Sequence, residues 1–299
     1  MRSLSKIKTL SLLVFLVIMW GINWPLSKYA LHFCPPILFA GIRTLLAGLL
    51  LLIYALPNYK KFKFKQNWSA YLISAVLNII IFYGLQTIGL KFMPAGLFSA
   101  IVFIQPILLG VFSWLWLGEA MYGLKIIGLI LGFLGVAAIS INGVLGHLSV
   151  IGILLALGTA FGWGLGTVYV KKQGAKVDSI WMVTSQLLIG GVLLSGVGSL
   201  TETWSDITWN LTFVSLLAFI SIFVIAIGWL VFFTLVGAGE ASIVGSYTFI
   251  IPLISVAASA LFLHEAITLN LLGGLVLVII SILCVNIKPK SLQKKALDR

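Results

Sequence analysis

The 299-residue chain is 61% hydrophobic and 9% charged, with a net charge of +12. Soluble domains run at about 25% charged and about 45–50% apolar, so this chain lacks the polar residues to clothe a water-facing surface. That excludes a soluble enzyme or a soluble nucleic-acid-binding domain and makes lipid the outer solvent, where only helices and closed barrels satisfy their own backbone. Barrel strands alternate polar and apolar residues; the apolar runs here are long and continuous, so helices are expected.

A span needs roughly 20 apolar residues. Ten such runs follow one another, near 9–29, 36–56, 69–90, 94–117, 123–143, 149–170, 179–200, 210–236, 240–263 and 268–287. Pro35-Pro36, Pro57-Asn58, Met93-Pro94 and Lys171-Lys172 mark breaks. The break at 143–149 is glycine-rich and uncharged, and the one at 237–240 is the tightest. The first run follows a basic start but is too long for a signal-peptide core, so it reads as a retained helix.

With the N-terminus inside, sixteen of the nineteen Lys and Arg residues fall in cytoplasmic segments. The opposite side holds only Lys28 and Lys91, and Arg43 lies inside the second span. This bias places both termini in the cytoplasm of a cell-membrane protein and requires an even number of spans. It also accounts for the basic charge without nucleic acid as a partner. Cys34 and Cys284 show no metal or redox spacing, and they fall near opposite faces, which disfavours a disulfide.

Slid on itself by 146 residues, the chain places Phe103-Ile104 on Phe249-Ile250, Pro106 on Pro252 and Glu119-Ala120 on Glu265-Ala266. A shift of 143 places Arg43 on Gln186 and Gly48 on Gly191, and one of 141 places Gly21 on Gly162. Apolar matches are cheap in such a sequence, but a mid-helix proline followed thirteen residues later by an isolated glutamate is not. The expected architecture is an all-α integral membrane protein of ten transmembrane helices. These form five-helix repeats over 1–146 and 147–288, with a basic cytoplasmic tail at 289–299. Five is odd, so the second repeat enters the membrane inverted. Inverted repeats recur in secondary transporters, where substrate sits near the midplane between the halves.

The first span carries Trp20-Gly21-Ile22-Asn23-Trp24 and then Lys28; the second carries Pro35-Pro36 and then Arg43, with Ala47 and Gly48 after it. The fourth runs from Pro106 to Leu117-Gly118-Glu119, and the ninth repeats this from Pro252 to Leu263-His264-Glu265, with His264 in place of the glycine. In order and doubling these motifs resemble the drug/metabolite transporter superfamily, specifically its ten-helix EamA-type members, over nearly the whole chain. The resemblance implies a single-chain carrier of small metabolites, often an exporter of amino acids, with a cavity lined mainly by spans 1, 3, 4, 6, 8 and 9. The expected partners are a small-molecule solute and the lipid bilayer, with no cofactor and with a monomer or weak self-association.

Candidate site residues follow from helical spacing. Trp20, Asn23, Trp24 and Ser27 share one face of the first span, as a cavity wall or as packing, and Pro25 is positioned to break or kink it. Asn78, Phe82 and Gln86 fall at i, i+4 and i+8 of the third span with Tyr83 beside them, and two amides there favour a wet cavity. Ser99 and Gln105 precede Pro106, and Ser242, Ser246 and Tyr247 precede Pro252; the two prolines suggest a repeated bend, as a gate or as a static kink. Trp163, Tyr169 and Trp229 are aromatic cavity candidates, whereas Trp204 and Trp209 read as interfacial anchors. Arg43 could attract a carboxylate, but a structural pairing is favoured because buried charges are normally paired. Glu119 and Glu265 read as ties to neighbouring backbone.

Enzyme signatures are missing. No P-loop occurs, His32, His147 and His264 stand isolated, and no acidic pair lies within a span. The expected function is export of small metabolites such as amino acids by alternating access. The alternatives are a proton-coupled exporter of cationic or aromatic drugs, for which the first span lacks an acidic residue, a membrane scaffold, or an intramembrane enzyme.

Overall fold

The structure is a computed structural model that describes residues 4–93, 95–144, 149–174, 176–263 and 269–287. Those residues form helices and no strand. In chain order they are α1 (Lys6–Ala30), α2 (Pro36–Ala55), α3 (Phe64–Phe92), α4 (Ala95–Val102), α5 (Gln105–Leu117), α6 (Gly123–Val144), α7 (Val150–Gln173), α8 (Ser179–Thr201), α9 (Leu211–Ala238), α10 (Ala241–Tyr247), α11 (Ile251–Leu263) and α12 (Leu269–Asn286). Side-chain caps set several starts: Ser5 Oγ accepts Lys8 N before α1, Asp178 accepts Ile180 N and Trp181 N at α8, and Asn210 accepts Phe213 N at α9.

Among the described residues six helices are long and apolar enough to cross a membrane: α1, α2 with its 3-10 extension to Lys61, α3, α7, α8 and α9. The remaining apolar helices are shorter. Large side chains such as Leu10, Ile53, Leu154, Val192 and Ile279 stand exposed on the outside of the bundle, where lipid rather than water satisfies them.

The most extensive packing is α2 against α8 and α6 against α12. Next comes α3, which packs on both α7 and α8, followed by α5 against α7 and α1 against α11. Small residues permit these approaches. A methyl group on Gly41 would stand 2.5 Å from Ser195 N, and one on Gly191 would stand 2.6 Å from Leu45 N, so α2 and α8 touch backbone to backbone.

Three features depart from the sequence reading. Helix α1 runs unbroken through Pro25. The fourth run is not one helix: a turn at Phe103-Ile104 separates α4 from α5, and Pro106 sits at the start of α5, where a missing N–H costs nothing. The ninth run passes through a 3-10 turn, Thr248–Ile250, before Pro252 in α11. The proline thus opens a new helical segment in both places. Helices α3 and α9 each contain a π-helical stretch, Val76–Gly84 and Ile220–Ile227; such stretches rotate the side chains beyond them and gather at functional sites. His147, His264 and Glu265 lie outside the described residues.

Candidate functional site

A cavity lies inside the bundle where α1, α3, α7 and α9 converge with the α4–α5 turn. Helix α1 contributes Trp20, Asn23 and Trp24, and α3 contributes Phe82, Tyr83 and Gln86. Phe103 enters from the α4–α5 turn, Trp163 from α7 and Val224 from the π stretch of α9. The free volume is about 20 Å³, space for roughly one water molecule.

Aromatic rings form most of the wall. The Trp20 ring meets Trp163 at 5.4 Å, Trp229 at 5.7 Å and Phe232 at 5.1 Å. Phe82 and Phe103 each approach Trp163 edge-on or tilted, at 5.3 and 5.8 Å. The Trp20 indole N–H donates to Val224 O at 3.0 Å, and the Trp229 indole N–H donates to Tyr83 Oη at 2.8 Å. Trp163 Nε1, by contrast, is buried without a partner.

The polar part of the wall is held by Arg43. It is fully buried in α2 and donates from Nη1 to Ser27 Oγ at 2.9 Å and from Nη2 to Gln86 Oε1 at 3.1 Å. Its guanidinium lies 4.6 Å from the Phe39 ring centre and 4.7 Å from that of Tyr83. Ser27 in turn donates to Asn23 Oδ1 at 3.0 Å. The pairing expected of Arg43 exists, but it is made to neutral groups and ring faces: no carboxylate among the described residues reaches it.

Other sequence candidates sit elsewhere. Asn78 leaves the cavity and donates to Gln186 Oε1 at 3.1 Å and to Ser74 Oγ at 3.3 Å, while Ser74 also donates to Gln186. The π stretch between Asn78 and Gln86 turns the two amides onto different neighbours. Ser99 and Gln105 are buried outside the cavity wall, and both Gln105 amide atoms are unpartnered. Trp229 backs the wall through Tyr83, while Tyr169 is only half-buried on α7. Ser246 bonds its own helix at Ile243 O, and Tyr247 Oη donates to Asn286 Oδ1 at 3.3 Å. Sequence reasoning missed Phe103, Val224 and Gln186. The repeat alignments of Phe103 with Phe249 and of Arg43 with Gln186 were the available signals for two of them; Val224 left none.

Beyond the cavity both ends of the bundle are tied. Gly118 ends α5 at φ 67°, a left-handed turn that suits glycine. It swings Glu119 back over α7 and α10. There Oε1 accepts Lys171 Nζ at 2.8 Å and Ala241 N at 2.6 Å, and Oε2 accepts Ser242 N at 3.2 Å and the Ser242 hydroxyl. Lys125 stands 3.8 Å from the same carboxylate and 3.4 Å from Glu240. Burial pushes the Glu119 carboxyl up, but the bonds from Lys171, Ser242 and Ala241 and the Lys171 charge outweigh it and hold it below its ordinary value of 4.5. At the opposite end Glu202 accepts Ile37 N at 3.1 Å and Leu38 N at 2.8 Å, capping α2. Lys28 there donates to Leu90 O and Met93 O, joining α1 to α3.

A bundle of apolar helices around a small internal cavity, tied at both ends and free of any metal-ligand group among the described residues, has the build of a membrane carrier. The chain belongs to the EamA-like transporter family, whose profile matches it twice, over residues 7–141 and 150–287. It is therefore a multi-pass membrane transporter. It is 64% identical to the uncharacterized transporter YvbV of Bacillus subtilis over 99% of this chain and 97% of that one. It is 27% identical to a protein of Escherichia coli named "Probable amino-acid metabolite efflux pump", over 89% of this chain and 91% of that one. One solved crystal structure superposes with a TM-score of 0.80 over 99% of this chain and 100% of that one, at 16% identity, a likeness of fold.

Proposed function

We propose that this transporter exports small metabolites such as amino acids by alternating access, with the aromatic cavity as its substrate site. The observation that carries the reading is the cavity itself, built from Trp20, Phe82 and Phe103 on one side and Trp163 and Val224 on the other. These residues come from the two regions that the family profile matches separately. At about 20 Å³ the cavity is too small for an amino acid, so transport requires the walls to part, as in the rocking of one repeat against the other.

The proposed architecture is ten spans in two inverted repeats, 1–146 and 147–288, with both termini and the tail at 289–299 in the cytoplasm. The packing supports it. Under exchange of the repeats α2 against α8 maps onto itself, as does α6 against α12, while α1 against α11 maps onto α7 against α5. In this arrangement Glu119, Lys171 and Ser242 close the cytoplasmic end. Lys28, in the last turn of α1 as Lys171 is in the last turn of α7, helps close the outer end. The proton-coupled drug exporter is the weaker reading, because no carboxylate among the described residues lines the cavity.

The test is counterflow in proteoliposomes with a panel of amino acids, nucleosides and cationic dyes. Exchange of amino acids is expected. Absence of exchange with every member, in protein that elutes as a single folded species, overturns the proposal; exchange confined to dyes replaces it with the drug-exporter reading.

A further inference from the structure

The hydrogen-bond directions around the cavity follow from one residue. A guanidinium has donors only, so Gln86 must turn its Oε1 to Arg43, and its NH2 group is left buried and unpartnered at the cavity. Ser27 accepts from Arg43, so its own hydrogen goes to Asn23, which must present Oδ1. Asn23 lines the cavity and likewise keeps its NH2 free to donate. Trp163 adds an unpartnered N–H. Tyr83 Oη already accepts from Trp229, leaving its hydrogen to donate. Among the described residues every polar group left free at this wall is a donor, and a buried positive charge that none of their carboxylates reaches stands directly behind it.

We propose that this wall is a carboxylate subsite. The solute places its carboxylate against the amide nitrogens of Asn23 and Gln86, within reach of the Trp163 N–H, and lays its apolar part on the indole rings. Arg43 is a positioning residue. It fixes both amides by their oxygens and supplies the positive potential, which acts strongly in a poorly screened interior. The bound carboxylate supplies a counter-charge that none of the described residues brings to Arg43, since a buried charge is costly until it is paired. The substrate class is therefore monocarboxylates, zwitterionic amino acids included, with an apolar or aromatic side chain. Carboxyl-blocked and purely cationic molecules are excluded. This rests on the proposal that the cavity is the transport site.

The experiment compares counterflow of L-leucine and L-phenylalanine with that of their carboxamides, in wild-type protein and in Gln86→Leu, Asn23→Leu and Arg43→Lys. Thermal stability is measured for each, because Arg43→Lys and Gln86→Leu both disturb the bonding of a buried charge, whereas Asn23→Leu leaves both Arg43 acceptors in place. Exchange of the acids at least tenfold faster than the amides is expected. Gln86→Leu should raise KM for the acids about tenfold or more and by a clearly larger factor than for the amides, with kcat affected less than KM. Acids and amides exchanging equally, or a Gln86→Leu effect that falls on both alike, overturns the carboxylate subsite while the transport reading stands. No exchange of any probe by folded protein removes the transport reading and this inference with it.

Discussion

Lys171, at the end of α7, donates to the same Glu119 oxygen that accepts Ala241 N, at 2.8 and 2.6 Å. One carboxylate thereby joins the ends of α5 and α7 to the start of α10. Replacing Glu119 with Gln keeps an acceptor for Ala241 but removes the charge and points an amide donor into the site. The expected cost is about 1–3 kcal/mol, the range for hydrogen bonds to charged groups, read as a lower melting temperature in detergent. If the tie closes this end, Lys171→Ala should also speed maleimide labelling of a cysteine placed at Ser246, with Cys34 and Cys284 replaced. Unchanged labelling would leave the tie a stability element without a gating role.

The same carboxylate sets a pH dependence. Folded Glu119 titrates below its ordinary value of 4.5. Its contribution is therefore full above the unfolded value near 4.5 and is lost as pH falls through the lower folded value. Melting temperatures measured from pH 7 down to pH 3 should drop in that acid window. Glu119→Gln, already weaker at pH 7, should drop less steeply there. Parallel curves for the two proteins would assign the acid loss to other groups.

At the α2–α8 crossing a methyl group on Gly191 would stand 2.6 Å from Leu45 N and 2.7 Å from Leu45 Cα, whereas one on Gly196 of the same helix meets nothing within 4 Å. Gly191→Ala should cost about 1–3 kcal/mol through overpacking. Gly196→Ala should be neutral or gain up to about 1 kcal/mol from helix propensity. The two variants share chemistry and helix, so thermal melts of the pair isolate backbone approach. Equal effects would show that α2 and α8 do not pack this closely.

How much of this the residues announce depends on whether α-helical phase survives. In α1 it does: Trp20, Asn23, Trp24 and Ser27 are all buried on the inward face as their spacing predicts, through Pro25 and without a break. In α3 it does not, because the π stretch at Val76–Gly84 adds residues to the turn and separates Asn78 from Gln86. Nothing in a run of Ile and Phe signals that change of pitch. Arg43 was visible as an intramembrane charge, but not the identity of its partners, which come from α1 and α3 and meet only when the bundle closes. Phe103 was visible as a repeated residue before a repeated proline; that it lines a cavity depends on the turn that places it there.

Asn78 and Gln86 therefore separate stability from transport. Asn78 is bonded to Ser74 and Gln186 between α3 and α8, and its loss leaves buried polar groups short of partners. Asn78→Ala should cost about 1–3 kcal/mol of stability and leave KM unchanged for whatever solute is exchanged. A raised KM at normal stability would return Asn78 to the substrate site.

Two indoles of the cavity make the sharpest contrast, because they differ in what their N–H groups do. Trp20 donates to Val224 O at 3.0 Å, while Trp163 has no partner. Phenylalanine keeps a ring in either place and removes only the donor and part of the area. Trp20→Phe strands a buried carbonyl in the π stretch of α9, so stability should fall by about 1–3 kcal/mol, and transport should fall with it. Trp163→Phe leaves no protein acceptor unpaired, so stability should fall less than in Trp20→Phe, by the lost ring area alone. If its N–H serves the solute, KM should rise severalfold with little change in kcat, which a counterflow titration resolves. Equal melting temperatures and equal KM for the two variants would mean that neither N–H acts as the geometry assigns it.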